Sequence, residues 1–332
     1  MKTRVAINGF GRIGRNLFRL LLNHPTIEVI AINDIADNKT MAHLLKYDSI
    51  HGVLASPVSY DENSILVDGK PYIFFHQNEI KNLDWKAIDI DFVIESTGKY
   101  KTFEDINEHI LAGAKKVILS APAEVENIKT IVLGVNQHIL DGTETIISNA
   151  SCTTNNAAPM IQVIKELCGI EQAYITTVHS YTTDQSLHDQ PHKDLRRARG
   201  ASQSIVPTTT GAAKSLTKIF PELEGKIGGC GIRVPVPDGS LTDITFNVKR
   251  EVSIDEINLA FKKSAENELK GILAYTEDPI VSVDIIGNKN SCLFDAQLTS
   301  VIDKMVKVVG WYDNEIGYSS RIIDLISLIH KK

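Results

Sequence analysis

Short apolar runs alternate with stretches of helical spacing through the first 150 positions of the chain. The runs are rich in β-branched residues and predict strands at residues 4–8, 27–32, 91–95, 116–119, 130–135 and 145–147. Behind the first run, Ile13, Leu17, Leu20 and Leu21 recur at i, i+4, i+7 and i+8, which is one face of a helix. Strands that are apolar on both faces are typical of a parallel sheet covered by helices. The pattern predicts an α/β domain with a doubly wound sheet over residues 1–150.

A different pattern follows residue 151. Strands are predicted at residues 174–179, 232–236, 242–248 and 304–312, and helical spacing covers residues 210–220, 254–268 and 316–329. This order predicts a second, α+β domain over residues 151–314, with a mixed or antiparallel sheet and helices on one face. The polar run between His179 and Gln203 is too long for an ordinary connection, so we expect it to be functional or to lie at a subunit interface.

Three glycines mark the end of the first predicted strand. Gly9, Gly11 and Gly14 have the spacing that makes a tight turn, lets the backbone approach a pyrophosphate, and packs the next helix on the strand. Asp34 follows the second strand, 20 residues after Gly14 (34 − 14), where a carboxylate accepts hydrogen bonds from ribose hydroxyls. We therefore predict a Rossmann-type NAD site, and NADP is disfavoured because Asp34 would repel its 2′-phosphate.

Cys152 stands among hydroxyl-bearing residues at the start of a predicted helix. Unpaired backbone N–H groups and the helix dipole at that position are expected to depress the pKa of the thiol and make it nucleophilic. His179, at the end of a predicted strand, is the imidazole expected to pair with the thiolate and act as general base. The alternatives are an ordinary buried cysteine and a histidine with a structural role.

Other polar residues suit ligand binding only as groups. Five of them would hold phosphate through charge-assisted and backbone hydrogen bonds, or else form a solvated or interface face: Thr182, Arg197, Thr210, Gly211 and Arg233. Small polar residues at 96–98 and 120–122 end two predicted strands, where open α/β sheets bind ligands, although such residues also form simple turns.

Composition narrows the class of protein. The chain has 332 residues, 43% of them hydrophobic, and a formal charge of −6, which suits a globular protein of two domains and gives no reason to expect nucleic acid or an anionic membrane as partner. The start of the chain enters a strand pattern, and no apolar run approaches a membrane span, so we expect a cytoplasmic protein. Four scattered cysteines without a CxxC pair argue for free thiols rather than disulfides or a zinc site.

Motifs along essentially the whole chain resemble those of the glyceraldehyde-3-phosphate dehydrogenase family. The matching stretches are residues 6–15, 32–34, 46–49, 51–52, 120–122, 148–155, 179–182, 192–199, 207–214, 233–235 and 311–315. The resemblance implies oxidation of D-glyceraldehyde 3-phosphate to 1,3-bisphosphoglycerate with reduction of NAD, as in glycolysis and gluconeogenesis. Cys152 would be the nucleophile that forms a hemithioacetal and then a thioester, and His179 would activate it.

The resemblance also assigns binding residues. The substrate phosphate would be held by Thr182, Arg233 and, in part, Arg197, and the attacking inorganic phosphate by Ser151, Thr153, Thr210 and Gly211. Cofactor contacts would come from Gly9, Gly11 and Gly14, from Arg12 and Ile13 at the pyrophosphate, from Asp34 at the ribose, from Asn78 near the adenine, from Ser120 near the nicotinamide ring, and from Asn314 at the carboxamide.

The resemblance further implies a homotetramer, in which the long polar run lies at the cofactor of a neighbouring subunit. The terminal helix, at about residues 315–332, would pack back on the first domain. The chain departs from the common family pattern at three positions: Asn156 replaces a second cysteine, Asn78 replaces an arginine, and Ile316 replaces a tryptophan.

Two other functions fit parts of this pattern. Erythrose-4-phosphate dehydrogenase has a similar fold and Cys/His chemistry, but Thr182 and the hydroxyls of residues 208–210 favour the glyceraldehyde-3-phosphate enzyme. The chain could also be an inactive dinucleotide-binding scaffold, or an RNA- or receptor-binding protein. Retention of Cys152, His179 and Arg233 together argues against loss of activity.

Overall fold

The computed structural model describes residues 2–331, which form two compact units. Unit 1 comprises residues 2–131, 138–150 and 319–331, and unit 2 comprises Val132–Gln137 and Ser151–Tyr318. Residues 132–137, which the sequence pattern placed in the first domain, therefore group with unit 2. Within the described range, no helix is long and apolar enough to cross a membrane.

Unit 1 contains a nine-stranded sheet and a separate two-stranded hairpin. Its strands are β1 (Thr3–Asn8), β2 (Ile27–Asn33), β3 (Tyr47–Asp48), β4 (Gly52–Val53), β5 (Val58–Tyr60), β6 (Ser64–Val67), β7 (Lys70–Phe75), β8 (Phe92–Glu95), β9 (Lys116–Leu119), β10 (Lys129–Thr130) and β11 (Ile146–Ser148). The sheet has the order β10-β11-β9-β8-β1-β2-β7-β6-β5, and β3 pairs with β4. All neighbours from β10 to β7 are parallel, whereas β6 and β5 join in antiparallel fashion. The predicted doubly wound parallel sheet is confirmed, with an antiparallel edge added.

Unit 1 contains three whole α-helices, α1 (Arg12–Leu21), α2 (Asn38–Lys46) and α3 (Phe103–Leu111), and the part of the terminal helix α7 (Ile316–Lys331) from Ser319 onward. The Thr102 side chain caps α3 by accepting from the backbone N–H of Asp105. Arg19 ties α1 to the end of α2, because its Nη2 donates to the carbonyl of Leu45 at 2.7 Å. A side-chain cap therefore fixes the start of α3, and Arg19 holds α1 against α2.

The strand predicted at residues 130–135 is wrong beyond Thr130. The strand β10 ends there, and Asn136 Oδ1 accepts a hydrogen bond from the backbone N–H of Val132 at 2.7 Å. This contact closes a turn where a strand would have to continue. Ile131 and Val132 are nevertheless fully buried, so the apolar run reports burial rather than a strand.

Unit 2 is built on a mixed eight-stranded sheet. Its elements are α4 (Cys152–Cys168), β12 (Ile170–Ser180), β13 (Val206–Thr208), α5 (Ala212–Ile219), β14 (Ile227–Val234), β15 (Ser240–Val248), α6 (Ile254–Glu266), β16 (Leu273–Thr276), β17 (Cys292–Asp295), β18 (Ser300–Ile302), β19 (Met305–Tyr312) and the start of α7 (Ile316–Lys331). The sheet has the order β13-β14-β12-β15-β19-β17-β16, and β18 pairs with β19. Because β12 is parallel to β14 and antiparallel to β15, the predicted mixed sheet is confirmed.

Apolar packing between helices and sheet holds unit 2 together. The helix α4 contacts β15, β17 and β19, and most of its residues are buried. On α6, Phe261 stacks on Phe294 of β17 with ring centroids 3.8 Å apart, and both rings are fully buried. Each such ring contributes about 1.5–3 kcal/mol of apolar burial to folding.

Candidate functional site

A cavity of about 330 Å³ opens in unit 1 at the carboxyl ends of the central strands. The strand β1 lies between β2 and β8, so the chain changes direction across the sheet here. Doubly wound sheets bind their ligands at such a switch point. The cavity is lined by Asn8, Gly9, Gly11, Asn33, Asp34, Ile35, Gln77, Asn78, Ile80, Ser96, Thr97, Lys99 and Tyr100.

The three predicted glycines have different roles at the mouth of this cavity. Gly9 has a φ of +95°, and a Cβ there would lie 2.6 Å from the backbone nitrogen of Thr97. A Cβ on Gly14 would lie 2.1 Å from the carbonyl oxygen of Gly9, so α1 packs on the turn only with glycine. A Cβ on Gly11 would meet nothing within 4 Å, and no side chain caps the start of α1. Open space beside an uncapped helix N-terminus suits a pyrophosphate, so the residues fit the predicted cofactor.

Asp34 lines the cavity, and backbone groups fix its carboxylate. Oδ2 accepts from the N–H of Phe10 at 2.7 Å, and Oδ1 accepts from the N–H of Ala36 at 3.1 Å. The negative charge therefore has a defined position at the rim, as the predicted contact with a ribose requires.

Two other predicted cofactor residues differ in their relation to the cavity. Asn78 lines it, and its carbonyl oxygen accepts from Tyr100 Oη at 2.9 Å and from Lys99 Nζ at 3.3 Å. Ser120 follows β9, and its N–H donates to the carbonyl of Glu95 at 2.9 Å, but it does not line the cavity.

Arg12 begins α1, and its guanidinium group is paired with the Asp48 carboxylate instead of pointing into the open space beside Gly11. Nη1 donates to Asp48 Oδ2 at 2.5 Å and Nη2 to Oδ1 at 3.1 Å. Ile13 follows it in the first turn and is half-buried. A pyrophosphate contact from these two residues would therefore use their backbone N–H groups. Sequence reasoning did not identify Asp48 as a functional residue, because 36 positions separate it from Arg12.

In unit 2, Cys152 is the first residue of α4, and Ser151 is the N-cap. The Ser151 hydroxyl accepts from the N–H of Thr154 at 3.1 Å. Ala150, just before the cap, has a φ of +56°, which is unfavourable for a residue other than glycine. This strained turn delivers the chain directly to the helix start that bears the thiol.

The sheet of unit 2 brings His179 and Arg233 to Cys152. His179 on β12 and Arg233 on β14 are register partners in a parallel pair, although 54 residues separate them. His179 Nε2 lies 3.4 Å from Cys152 Sγ, and Nδ1 lies 2.8 Å from the Ser180 carbonyl. Nδ1 therefore lies between an acceptor, the Ser180 carbonyl, and a donor, the Arg233 guanidinium. In the tautomer that donates from Nδ1 to the carbonyl, Nε2 faces the thiol as an acceptor. Arg233 Nη1 contacts Nδ1 and also donates to the Ser180 carbonyl at 2.9 Å.

Burial changes the protonation expected for this pair. It raises the pKa of the Cys152 thiol, and the charge of Arg233 and the hydrogen bonds of Thr153 only partly oppose it. It lowers the pKa of His179 to about 3, and Arg233 adds to that effect. The expectation of a depressed thiol pKa and a preformed ion pair is therefore wrong for this structure, because desolvation exceeds the helix-terminus effect. The pair is an S–H group facing a neutral imidazole.

Tyr312 connects the cysteine-bearing turn to the central strand, a role that sequence reasoning missed. Its hydroxyl lies 3.0 Å from Thr153 Oγ1 and 2.9 Å from Thr177 Oγ1, and its ring packs edge-on against His179. Thr153 is buried, and its hydroxyl, which has one donor and two acceptor positions, uses one of them for Tyr312. In the sequence, the only indication of this role was that Tyr312 lies in the stretch 311–315, which matches the family motif.

Asn314 is held on unit 2 by two serine hydroxyls. Its Oδ1 accepts from Ser180 Oγ at 2.9 Å and from Ser240 Oγ at 2.8 Å. Because Oδ1 is occupied, the Nδ2 group is the part of this side chain oriented for other contacts. That orientation suits recognition of a carbonyl oxygen, as in a carboxamide.

Arg197 is half-buried and is held by one carboxylate of the long polar run and by two residues at the end of β13. Nη1 donates to Asp184 at 2.6 Å, Nε to Thr208 Oγ1 at 2.8 Å, and Nη2 to the carbonyl of Thr209 at 3.3 Å. Arg233, by contrast, is placed beside the Cys152–His179 pair. Of the two predicted phosphate-binding arginines, only Arg233 is therefore shown in contact with the catalytic pair.

The remaining predicted phosphate residues lie at a loop and a helix start. Gly211 is the N-cap of α5, and Thr210 Oγ1 accepts from the N–H of Ala212 at 3.2 Å. A Cβ on Gly211 would meet nothing within 4 Å, so space remains beside this helix N-terminus. Thr182, after β12, is partly exposed, and its carbonyl accepts from Gln185.

Two of the departures from the family pattern have defined surroundings. Asn156 is fully buried on α4, one turn after Cys152, and its Nδ2 donates to the carbonyls of Ser291 at 3.3 Å and Trp311 at 3.2 Å. Ile316 is 8% exposed at the start of α7, where Asp313 Oδ1 accepts from its N–H at 2.7 Å.

The four cysteines, Cys152, Cys168, Cys230 and Cys292, are free thiols.

Comparison with known proteins gives matches along both units. The family model for the glyceraldehyde 3-phosphate dehydrogenase NAD binding domain matches residues 3–103, and the model for the C-terminal domain of the same enzyme matches residues 151–314. The chain is 54% identical to glyceraldehyde-3-phosphate dehydrogenase of Geobacillus stearothermophilus, over 100% of this chain and 99% of the relative. It is 54% identical to the Streptomyces coelicolor enzyme over 98% of each chain, and 51% identical to glyceraldehyde-3-phosphate dehydrogenase 1 of Bacillus subtilis over 100% and 99%.

Proposed function

The chain belongs to the glyceraldehyde-3-phosphate dehydrogenase family, and we propose that it oxidises and phosphorylates D-glyceraldehyde 3-phosphate to 1,3-bisphosphoglycerate with reduction of NAD. The observation that carries this proposal is the approach of Cys152 Sγ to within 3.4 Å of His179 Nε2 at the start of α4. A nucleophile within hydrogen-bond reach of a base is the arrangement that covalent aldehyde oxidation needs.

Unit 1 is the NAD-binding domain in this proposal, and unit 2 is the catalytic domain. NAD, when bound, accepts the hydride that leaves the substrate carbon. The open space at Gly11 and the helix start at Arg12 and Ile13 suit its pyrophosphate, and the fixed carboxylate of Asp34 suits its ribose. Ser120, Asn78 and Asn314 remain proposed contacts from the family resemblance.

His179 moves the protons of the reaction. As the sulfur attacks the aldehyde, Nε2 takes the thiol proton and returns it to the oxygen of the hemithioacetal, so no ion pair has to exist beforehand. The same nitrogen takes the proton of that hydroxyl when hydride leaves, and a thioester remains on Cys152. The hydrogen bond from Nδ1 to the Ser180 carbonyl keeps the ring in the required orientation.

Phosphate completes the cycle by attacking the thioester. Its proposed site combines Ser151 and Thr153 at the start of α4 with Thr210 and Gly211 at the start of α5, where helix N-termini and hydroxyls favour an anion. The proposed site for the substrate's own phosphate uses a second set: Thr182, Arg233 and, in part, Arg197.

The proposal includes a cytoplasmic homotetramer. Large apolar side chains are exposed on unit 2, including Leu187 at 62%, Leu195 at 81% and Val283 at 64%. Contact with other subunits would cover such surfaces. Light scattering of the purified protein is expected to give about four times the 36.6 kDa chain mass.

Reduction of NAD by the purified protein tests the proposal. With glyceraldehyde 3-phosphate, steady turnover is expected only when phosphate or arsenate is present, and erythrose 4-phosphate is expected to be a much poorer substrate. A preference for erythrose 4-phosphate would favour the other dehydrogenase considered above. Absence of NAD reduction by wild-type protein, with full NAD binding, would favour an inactive scaffold.

A further inference from the structure

The three central strands of the unit 1 sheet each end in a buried polar residue. Asn8 ends β1, Asn33 ends β2 and Glu95 ends β8, and Asn8 is the register partner of both others. Register partners on neighbouring parallel strands point to the same face of a sheet, so the three side chains form one row. Asn8 and Asn33 also line the proposed NAD cavity, whereas Glu95 does not.

The hydrogen bonds at the Glu95 end of the row have a fixed direction. Trp85 Nε1 lies 3.0 Å from His109 Nδ1, and an indole N–H only donates, so Nδ1 is the acceptor. The proton of the neutral imidazole therefore lies on Nε2, which is 3.0 Å from Glu95 Oε2. His109 thus donates to the carboxylate, and the side chains of Glu95 and His109 are both 0% exposed.

Four donors converge on the Glu95 carboxylate. Oε2 accepts from His109 and from Asn8 Nδ2, the latter at 2.5 Å. Oε1 accepts from the backbone N–H of Thr97 at 2.9 Å and from the Thr97 hydroxyl. Each oxygen therefore has two donors, and no uncharged side chain of similar size can accept in all four directions.

The same direction continues from Glu95 to the rim of the cavity. Since Asn8 uses Nδ2 to bond Glu95, its Oδ1 is the acceptor for Asn33 Nδ2 at 2.7 Å. Asn33 then holds both backbone groups of Gln77: its Nδ2 donates to the carbonyl at 2.9 Å, and its Oδ1 accepts from the N–H at 2.8 Å. Gln77 and Thr97 both line the cavity.

We infer that Glu95 and His109, which do not line the NAD cavity, position the loops that do, and thereby set the affinity for NAD. The inference rests on the proposed function only in taking NAD as the ligand of this cavity. Glu95 is a positioning residue that fixes Thr97 directly and Gln77 through Asn8 and Asn33. His109 holds Glu95 through its Nε2–H group, and Trp85 keeps the proton on Nε2 by donating to Nδ1.

The surroundings of the pair argue that it does more than stabilise the fold. Trp85 belongs to an apolar cluster that includes Ile106 of α3 and Val93 of β8, all fully buried. A carboxylate beside such a cluster has a high desolvation cost, and well-packed apolar residues commonly stabilise a protein as well or better. What the carboxylate adds is a defined direction for every hydrogen bond in the row.

Four variants test the inference by calorimetric titration with NAD. His109→Leu removes one donor from Glu95, and Glu95→Gln places an N–H₂ group against donors, so each is expected to raise the Kd for NAD about tenfold. His109→Gln retains an N–H donor in the place of Nε2 and is expected to bind NAD within about twofold of wild type. Ile106→Val, on the same helix, lowers stability without touching the row and serves as the control.

Two further measurements separate positioning from stability. The kcat at saturating NAD is expected to change less than about twofold in His109→Leu, because the Cys152–His179 pair is unaffected. Hydrogen exchange at the backbone N–H groups of Gln77 and Thr97 is expected to be faster in that variant without NAD, and unchanged in the Ile106→Val control. Trp85→Phe keeps a buried ring and removes the donor to His109 Nδ1 while leaving Glu95 and His109 in place; it gives an alternative variant if the others do not fold, and is expected to raise the Kd for NAD.

Specific outcomes would overturn the inference. If wild-type protein binds NAD, and His109→Leu and Glu95→Gln melt at lower temperature but bind NAD within twofold of wild type, the pair is structural only and the proposed function stands. Equal weakening of NAD binding by Ile106→Val would likewise show an effect of general destabilisation. Wild-type protein that binds no NAD would overturn the proposed function itself, and the inference with it.

Discussion

Replacing Asp48 by Asn is expected to destabilise unit 1, because this carboxylate holds the start of α1. Its side chain is 2% exposed and accepts two hydrogen bonds from Arg12, at 2.5 and 3.1 Å. It also accepts from the backbone N–H groups of Ile50 and His51, each at 2.9 Å. The amide of Asn keeps only one accepting oxygen, so one Arg12 contact must be lost.

The magnitude follows from the bond that disappears. A hydrogen bond to a charged group contributes about 1.5–3 kcal/mol to the free energy of unfolding. The Arg12 side chain is 25% exposed and can turn partly to water, which limits the cost of its lost partner. We expect Asp48→Asn to lower the free energy of unfolding by about 2 kcal/mol at pH 7.

The dependence on pH distinguishes this cause from a packing defect. Burial alone would raise the pKa of Asp48, but hydrogen bonds from Arg12, His51 and Ile50 outweigh it and hold the pKa well below its usual range. A depressed pKa gives stability that is present above the unfolded value of about 3.9 and is lost as the pH falls toward the folded value. The difference between wild type and Asp48→Asn should therefore shrink by about 1 kcal/mol between pH 5 and pH 3.

Urea unfolding of both proteins at pH 7, 5, 4 and 3 measures this difference. Glu62→Gln, at an exposed position, removes the same charge and is expected to change stability by less than about 0.5 kcal/mol. A difference for Asp48→Asn that stays constant down to pH 3 would refute the reasoning, since it would show that the charge of Asp48 is not the source of the stability.

Two further predictions concern the thiols and the choice of cofactor. Burial raises the pKa of the Cys152, Cys168 and Cys292 thiols alike, but only Cys152 among these three has an imidazole beside it to accept its proton, so iodoacetamide is expected to label Cys152 well before the other two; peptide mapping would reveal equal labelling if this is wrong. His179→Asn removes the proton acceptor and should slow labelling of Cys152 and turnover alike. Asp34→Asn keeps an acceptor but removes the charge, so the ratio of kcat/KM for NAD over NADP should fall; an unchanged ratio would mean that Asp34 does not select the cofactor.

Sequence periodicity predicted the strands that are apolar along their whole length and buried on both faces. The strands at β1, β8 and β9 were predicted to within about a residue, because such runs have no other stable arrangement. The antiparallel strands β5 and β6 at one edge, and β7, which joins them to β2, were not predicted. They are short or partly exposed, as Ile73 and Lys70 show, and their pairing depends on turns rather than on an apolar run.

The identity of the site residues could be predicted where a sequence motif contained them. Their pKa values could not be predicted, because these depend on burial in the folded protein. The sequence placed Cys152 at a helix start and selected His179, but their 3.4 Å approach depends on how α4 packs against β12. The direction of the thiol pKa was wrong because desolvation depends on the folded surroundings, which a local motif does not contain. The contacts of Arg12 with Asp48 and of Glu95 with His109 join distant positions and required the structure.

Rapid mixing of enzyme, NAD and glyceraldehyde 3-phosphate without phosphate tests the central claim most directly. If Cys152 forms a thioester that phosphate must attack, absorbance of reduced cofactor should rise by about one equivalent per site and then nearly stall, and added phosphate should restart turnover. Cys152→Ser should lack the burst, whereas Thr210→Ala should weaken the response to phosphate more than the burst. Sustained, rapid reduction of NAD without phosphate would contradict the account, because it would show that water rather than phosphate releases the acyl group.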